Sequence, residues 1–241
     1  MIPDFAATDR IIRRGRVLML LGLLAVAGIY VLSVGYTPAE SHQGLAFKIL
    51  YVHAPSAWAM ETAFVLVGVT GVLYLWLGDV RLDVFAEASA TVGMVFGAVL
   101  LTTGPIWGRT IWGVWWAWDP RLTFTLLLYL LFAGYFALRS ALHDPVERAR
   151  FGAVVGMMGT ILVPFIHLTV YLFNSQHPLP VLGRPPCPPG APADCQPSLP
   201  WVLLKPLLLS FGAFTLLYIG FVTTRYGIGL RRLAAEARDA E

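Results

Sequence analysis

Charge is scarce in this sequence. Acidic and basic residues make up 13% of its 241 positions, against 57% that are hydrophobic, where soluble domains carry about 25% charge. A soluble single domain does not fit that balance, because a water-facing surface cannot be assembled from it. Cysteine is nearly missing as well. Cys187 and Cys195 are the only two; they are not spaced Cys-x-x-Cys and no histidine lies between them, so neither a metal nor a redox motif is present. His-Glu-x-x-His and Gly-x-Ser-x-Gly are also lacking, and with them the residues of zinc peptidase and serine hydrolase chemistry.

What the sequence does have is long apolar runs. A membrane-spanning helix needs roughly 20 mostly apolar residues, and six stretches qualify: 17–35, 54–77 (interrupted by Glu61), 88–108, 122–138, 151–173 (containing Pro164) and 199–224 (containing Lys205). Strand-like spans would leave backbone groups unpaired in lipid, so an all-α integral membrane protein with six transmembrane helices is expected, as one membrane domain over 1–241. Basic residues are retained on the cytoplasmic side. Arg10, Arg13, Arg14, Arg16, Arg81, Arg139, Arg148, Arg150, Arg225, Arg231, Arg232 and Arg238 fall on one side, twelve of the 17 basic residues. Both termini are therefore expected in the cytoplasm. The net charge of +3 reports membrane topology and not nucleic-acid binding. Arg-rich residues 10–16 followed by an apolar run and Ala25-Val26-Ala27 have the form of a cleavable signal, but the run continues to Gly35, which suits a retained span. In the last outer loop, 174–200, Cys187 and Cys195 stand where a disulfide can form, and the surrounding prolines predict an extended, stiff segment.

Five of the eight tryptophans lie between Trp107 and Trp118, in the outer segment 107–123 that joins the third and fourth runs. Trp112, Trp115, Trp116 and Asp119 are separated by three, four and seven residues, which predicts a short amphipathic interfacial helix with these four on one face and Trp118 to the side. An aromatic belt accounts for one or two tryptophans per helix end; five exceed it. An aromatic wall at a membrane surface suits a large planar apolar ligand with charged edges, and a porphyrin meets that description. Histidines are placed to match: His53, entering the second run, and His177, just after the fifth, lie at the expected depth of the tryptophans, and neutral imidazole is a good ligand for haem iron. Lys48, Arg109 and Arg121 are the nearby cations for propionates. Asp119 either pairs locally or touches a ligand. Glu61, about 12 Å beyond His53 at ~1.5 Å per residue, is an intramembrane carboxylate for which packing and function are both open. His167, ten residues before His177, competes with it as a ligand. Without Cys-x-x-Cys-His the chain has no site for covalent c-type haem attachment.

The segment Trp112-Gly113-Val114-Trp115-Trp116-Ala117-Trp118-Asp119-Pro120-Arg121-Leu122-Thr123 is similar to the tryptophan-rich signature of the haem-handling membrane proteins of cytochrome c maturation. With six runs, this length and one outer histidine on either side of the signature, essentially the whole chain resembles the CcmC family. The resemblance implies non-covalent haem b with axial ligands His53 and His177, contacted by Trp112, Trp115, Trp116, Trp118, Asp119, Arg121 and Lys48. It implies a haem site facing the periplasm from the bacterial inner membrane. The implied partners are the haem chaperone CcmE, which receives haem covalently, and CcmA, CcmB and CcmD in an ABC transporter complex. The implied role is presentation of a cofactor, often described as haem export, and not enzymatic catalysis. Lys48 stands where the family carries arginine, and the Pro- and Cys-containing stretch 178–198 is not part of the family core. Three rivals remain at this level: a transporter moving haem through the bundle, a haem lyase of the wider tryptophan-rich family, and a membrane b-type electron carrier.

Overall fold

The structure is a computed structural model that describes residues 4–173, 175–178, 187–190 and 199–239. Within them the fold is all helical: α1 (Phe5–Tyr36), α2 (Leu50–Leu77, preceded by a 3-10 turn over Leu45–Ile49), α3 (Val80–Trp112), α4 (Pro120–Ala141), α5 (Pro145–Leu172) and α6 (Trp201–Asp239). Each of the six is long and apolar enough to cross a bilayer. Short polar residues start the helices. The side chains of Asp4, Asp79, Asp119 and Asp144 each accept a backbone N–H in the first turn of α1, α3, α4 and α5, which satisfies donors that a helix cannot pair internally. Pro120 and Pro145 occupy the first position of α4 and α5, where a missing N–H costs nothing.

The separate amphipathic helix expected across the tryptophan signature does not form. α3 continues through Trp107 to Trp112 and stops at Gly113, whose φ of 76° is left-handed and favours glycine. Residues 113–119 are bends and irregular backbone. Pro120 then disfavours helical backbone at the residue before it, and Asp119 is extended (φ −70°, ψ 141°).

α2 lies at the centre, packed against α3, α5 and α6, and α1 sits at the edge against α6. Ala59, Met60, Ala63, Phe64 and Val67 on α2 are all but inaccessible, and Phe64 stacks on Phe132 of α4 at 3.6 Å between ring centroids. Hydroxyls tie the helices together where lipid offers no competing partner. Ser89 of α3 donates to Ala63 O of α2 at 3.0 Å or shares its proton with Tyr218 of α6 at 2.7 Å, and Thr160 of α5 donates to Phe64 O at 3.0 Å. At one end Arg139 of α4, 5% exposed, is paired with Asp83 (2.6 Å) and Glu87 (2.9 Å) of α3.

The α1–α6 contact is a small-residue interface of the kind that lets membrane helices approach closely. A Cβ at Gly15 would come 2.5 Å from Thr224 Oγ1, and one at Gly220 would run into the Met19 backbone. Gly220→Val is expected to cost at least the ~1–3 kcal/mol of core overpacking, because backbone cannot rotate away as a side chain can. Thermal melts in detergent check this against Gly212→Val, whose Cβ would meet nothing within 4 Å; equal melting temperatures for the two would show that close α1–α6 packing is dispensable.

Candidate functional site

At the end of the bundle away from the Arg139 cluster, α2, α3, α4 and α5 part around a cavity of about 530 Å³, within the ~300–1,000 Å³ range of cofactor and ligand sites. α2 contributes Leu50, His53, Ala57 and Glu61 to its wall; α3 contributes Leu100, Gly104, Trp107, Gly108, Ile111 and Trp112. Trp116 follows in the signature, then Arg121 and Thr125 of α4, Ile166 and His167 of α5, and Gln176 and His177 beyond it. The two histidines are thus brought to one cavity from positions 124 residues apart in sequence.

Among the described residues each of these rings leaves the same nitrogen available. His53 Nδ1 lies 3.1 Å from Thr103 Oγ1, and the single Thr103 proton is already directed to Val99 O at 2.8 Å. The hydroxyl therefore accepts, His53 Nδ1 carries the proton, and Nε2 of the neutral ring holds the lone pair. His177 Nδ1 is 2.9 Å from Pro178 O; a carbonyl only accepts, so Nδ1 donates and Nε2 is again free. Burial first, and then the Arg121 charge, push the His177 imidazole down to about 4, which keeps it neutral near pH 7. Hydrogen bonds of this kind from the second ring nitrogen fix tautomer and orientation in metal-ligating histidines. His167 differs. Its Nε2 is bonded to Glu61 Oε2 at 2.9 Å, so the competing ligand has that nitrogen occupied, and Glu61 has found its partner inside the bundle.

The walls are aromatic and partly stripped of side chains. Trp107 meets His53 edge to face at 5.4 Å and donates through Nε1 to Gln43 at 3.0 Å. A Cβ on Gly104 would stand 3.3 Å from His53 Cε1, in the space beside the ring. One donor faces the cavity unpaired: the Arg121 guanidinium makes no hydrogen bond or ion pair among the described residues, while Trp116 lines the wall with its Nε1 buried and without a partner among them. A flat ring system with carboxylates and a metal that takes two imidazoles fits this donor set.

Other expected contacts lie elsewhere. Trp115 and Trp118 are 62% and 77% exposed and are not on the cavity wall; with 113–119 irregular, Trp115 does not share a helix face with Trp112. Lys48 Nζ donates to Val34 O at 2.7 Å and Arg109 to Gly113 O, so each cation caps a helix end, α1 and α3, and neither lines the cavity. Asp119, 5% exposed, is not on the wall either: one oxygen caps α4 through Arg121 N–H at 2.9 Å, and the other accepts from Ser175 Oγ at 2.8 Å and Gln176 N–H at 2.6 Å. Thr103, Gly104 and Gly108 were not among the expected site residues, although Leu100, Gly104, Trp107 and Ile111 recur at helical spacing. Gln43 carries no sequence signal at all. Cys187 is disulfide-bonded, while Cys195 and most of 178–198 lie outside the described residues.

A profile of the CcmC family, described as heme exporter protein C, matches residues 4–239. Among curated relatives, heme exporter protein C of Bradyrhizobium diazoefficiens is 34% identical over 201 residues, covering 81% of this chain and 73% of the relative. The protein of the same name from Haemophilus influenzae is 33% identical over 215 residues, covering 88% and 81%. That from Rhodobacter capsulatus is 31% identical over 203 residues, covering 83% and 80%.

Proposed function

The chain belongs to the heme exporter protein C (CcmC) family, and from that premise we propose that it holds haem b non-covalently at the periplasmic face of the bacterial inner membrane and presents it to the chaperone CcmE. Membership gives it a haem-handling role in cytochrome c biogenesis. Haem is then the cargo, not a resident catalyst, and this chain's residues bind and orient it. The carrying observation is that His53 and His177 line one aromatic cavity with both Nε2 lone pairs free. His53 and His177 are the axial ligands in this reading, Trp107, Trp112 and Trp116 form the walls, and Arg121 receives a propionate. Preorganised ligands of this kind supply orientation.

Orientation rests on charge: Arg10, Arg13, Arg14, Arg16, Arg148, Arg150, Arg231 and Arg232 lie toward the end opposite the cavity, with Arg231 of α6 and Asp9 of α1 meeting there at 3.0 Å, which supports cytoplasmic termini. CcmA, CcmB and CcmD are the expected companions in a membrane complex. Presentation is favoured over passage through the bundle because Met60, Ala63, Phe64 and Val67, which follow the cavity-lining His53 and Ala57 along α2, are each 0% exposed.

Purifying the protein with its native cofactor tests the proposal. A six-coordinate bis-imidazole haem spectrum, and transfer of that haem to added CcmE as a covalent adduct surviving denaturation, is the expected result; a haem-free parent that nevertheless supports loading would reduce it to a scaffold. Gly104→Leu is expected to keep the fold and lower haem content severalfold, since its side chain would occupy the space beside the His53 ring. Parent-like haem content in that variant would move the binding site away from this wall.

A further inference from the structure

Asp119 ends the tryptophan signature in a buried carboxylate that joins two elements distant in sequence. On one side it caps α4 at Arg121 N–H. On the other it accepts from Ser175 Oγ and Gln176 N–H, and Ser175 Oγ, its proton directed to Asp119, accepts the N–H of His177 at 3.1 Å. The His177 ring is then fixed through Nδ1 to the neighbouring Pro178 carbonyl. From Asp119 two hydrogen bonds thus reach the backbone of the loop histidine, and a separate local bond to Pro178 O fixes its ring.

We propose that Asp119 is a positioning residue: it clamps the 175–177 segment against the start of α4 and so sets where His177 and Arg121 stand relative to one another, without touching the cargo. Three arguments carry this. Helix residues such as His53 are placed by their helix, but His177 follows the end of α5, at Leu172, and has no helix to hold it; something must replace that constraint. Asp119 is nearly inaccessible and absent from the cavity wall, so it is not a direct ligand contact. A carboxylate is also the side chain that answers this demand, since three donors converge on it and an ionised carboxyl only accepts. The same group fixes the backbone of Arg121, whose side chain lines the cavity, so one carboxylate sets both a metal ligand and the propionate cation. In the segment Trp118-Asp119-Pro120-Arg121, the aspartate has a task distinct from aromatic stacking.

The inference rests on the haem reading for its consequence but not for its geometry, and the test separates the two. Amide hydrogen exchange of the haem-free protein in nanodiscs reads the clamp; absorption and EPR spectra of the haem-loaded protein read the ligand. In Asp119→Ala, the Gln176 and His177 amides are expected to exchange at least tenfold faster. Loaded haem should lose its six-coordinate low-spin signature, regain it with added imidazole, and dissociate about 10- to 100-fold more readily, the usual cost of losing an outer hydrogen-bond partner. Ser175→Ala, which leaves the α4 cap intact, should shift both readouts in the same direction by less, and it decides the matter if Asp119→Ala does not fold. Parent-like exchange at 176–177 in both variants overturns the clamp. Fast exchange with an unchanged low-spin spectrum overturns its role in placing His177, provided His177→Ala does change the spectrum. An unchanged spectrum in His177→Ala itself sinks the haem-ligand reading instead, while the exchange data still settle the clamp.

Discussion

His53→Ala and His177→Ala are each expected to abolish the six-coordinate haem spectrum and to reduce chaperone loading at least a hundredfold, whereas His167→Ala retains the low-spin spectrum. Removing one of two axial imidazoles leaves a five-coordinate iron in a site whose remaining ligand cannot shift to compensate: His53 is held by Thr103 at 3.1 Å and His177 by Pro178 O at 2.9 Å. Loading should fall further than binding, because transfer needs one orientation while retention needs only affinity. The two variants should also differ. His53 sits on α2 among packed helices, so its loss leaves a defined space that exogenous imidazole can fill; His177 lies beyond α5, and its loss removes the ligand nearest the cavity's loop side. His167 serves as the internal control, since its Nε2 is taken by Glu61 and its removal frees a carboxylate without freeing an iron position. Absorption spectra of the three purified proteins, with and without imidazole, check this. Loss of the low-spin signal in His167→Ala with retention in His177→Ala would place the ligand pair deeper in the bundle and revive an electron-carrier reading.

Hydropathy made the six helices legible because lipid imposes one requirement on every span. It did not show helix ends. α1 begins at Phe5 and α6 continues to Asp239, beyond their apolar runs, because helicity does not require lipid and Arg-rich turns are good helix formers. The tryptophan segment misled for a local reason: spacing of three, four and seven is equally available to a chain that turns, and Gly113 followed by Pro120 stops the helix on both sides. That His53 and His177 come to one cavity was legible from residue type and expected depth. Their tautomers were not, since Thr103 and Pro178 are recognisable as partners only once the rings are in place. Lys48 reads from sequence as a propionate cation because charge alone does not reveal an orphan helix carbonyl such as Val34 O. From sequence Asp119 is open to a local pair or a ligand contact, and the bond of its second oxygen to Ser175, 56 residues away in sequence, is the kind of long-range bond that no spacing reports.

Arg121 should prove the main source of discrimination for the cargo's carboxylates. It is half-buried on the cavity wall with its backbone fixed by the Asp119 cap and its guanidinium unpaired among the described residues, while the carboxylate on the cavity wall, Glu61, is bonded to His167. A guanidinium held this way is preorganised for a bidentate carboxylate. Truncating one partner of such a desolvated pair costs about 2–5 kcal/mol, so Arg121→Gln is expected to weaken haem binding by at least roughly thirtyfold, at ~1.4 kcal/mol per tenfold. Arg121→Lys should recover only part of this, because an ammonium presents no planar fork. The measurement that isolates the interaction compares haem with its dimethyl ester in parent and variant, which together form a double-mutant cycle. Parent protein should prefer the free acid, and Arg121→Gln should bind acid and ester alike, with the low-spin spectrum preserved because both histidines remain. A preference for the free acid that survives in Arg121→Gln would show that another donor carries the propionate.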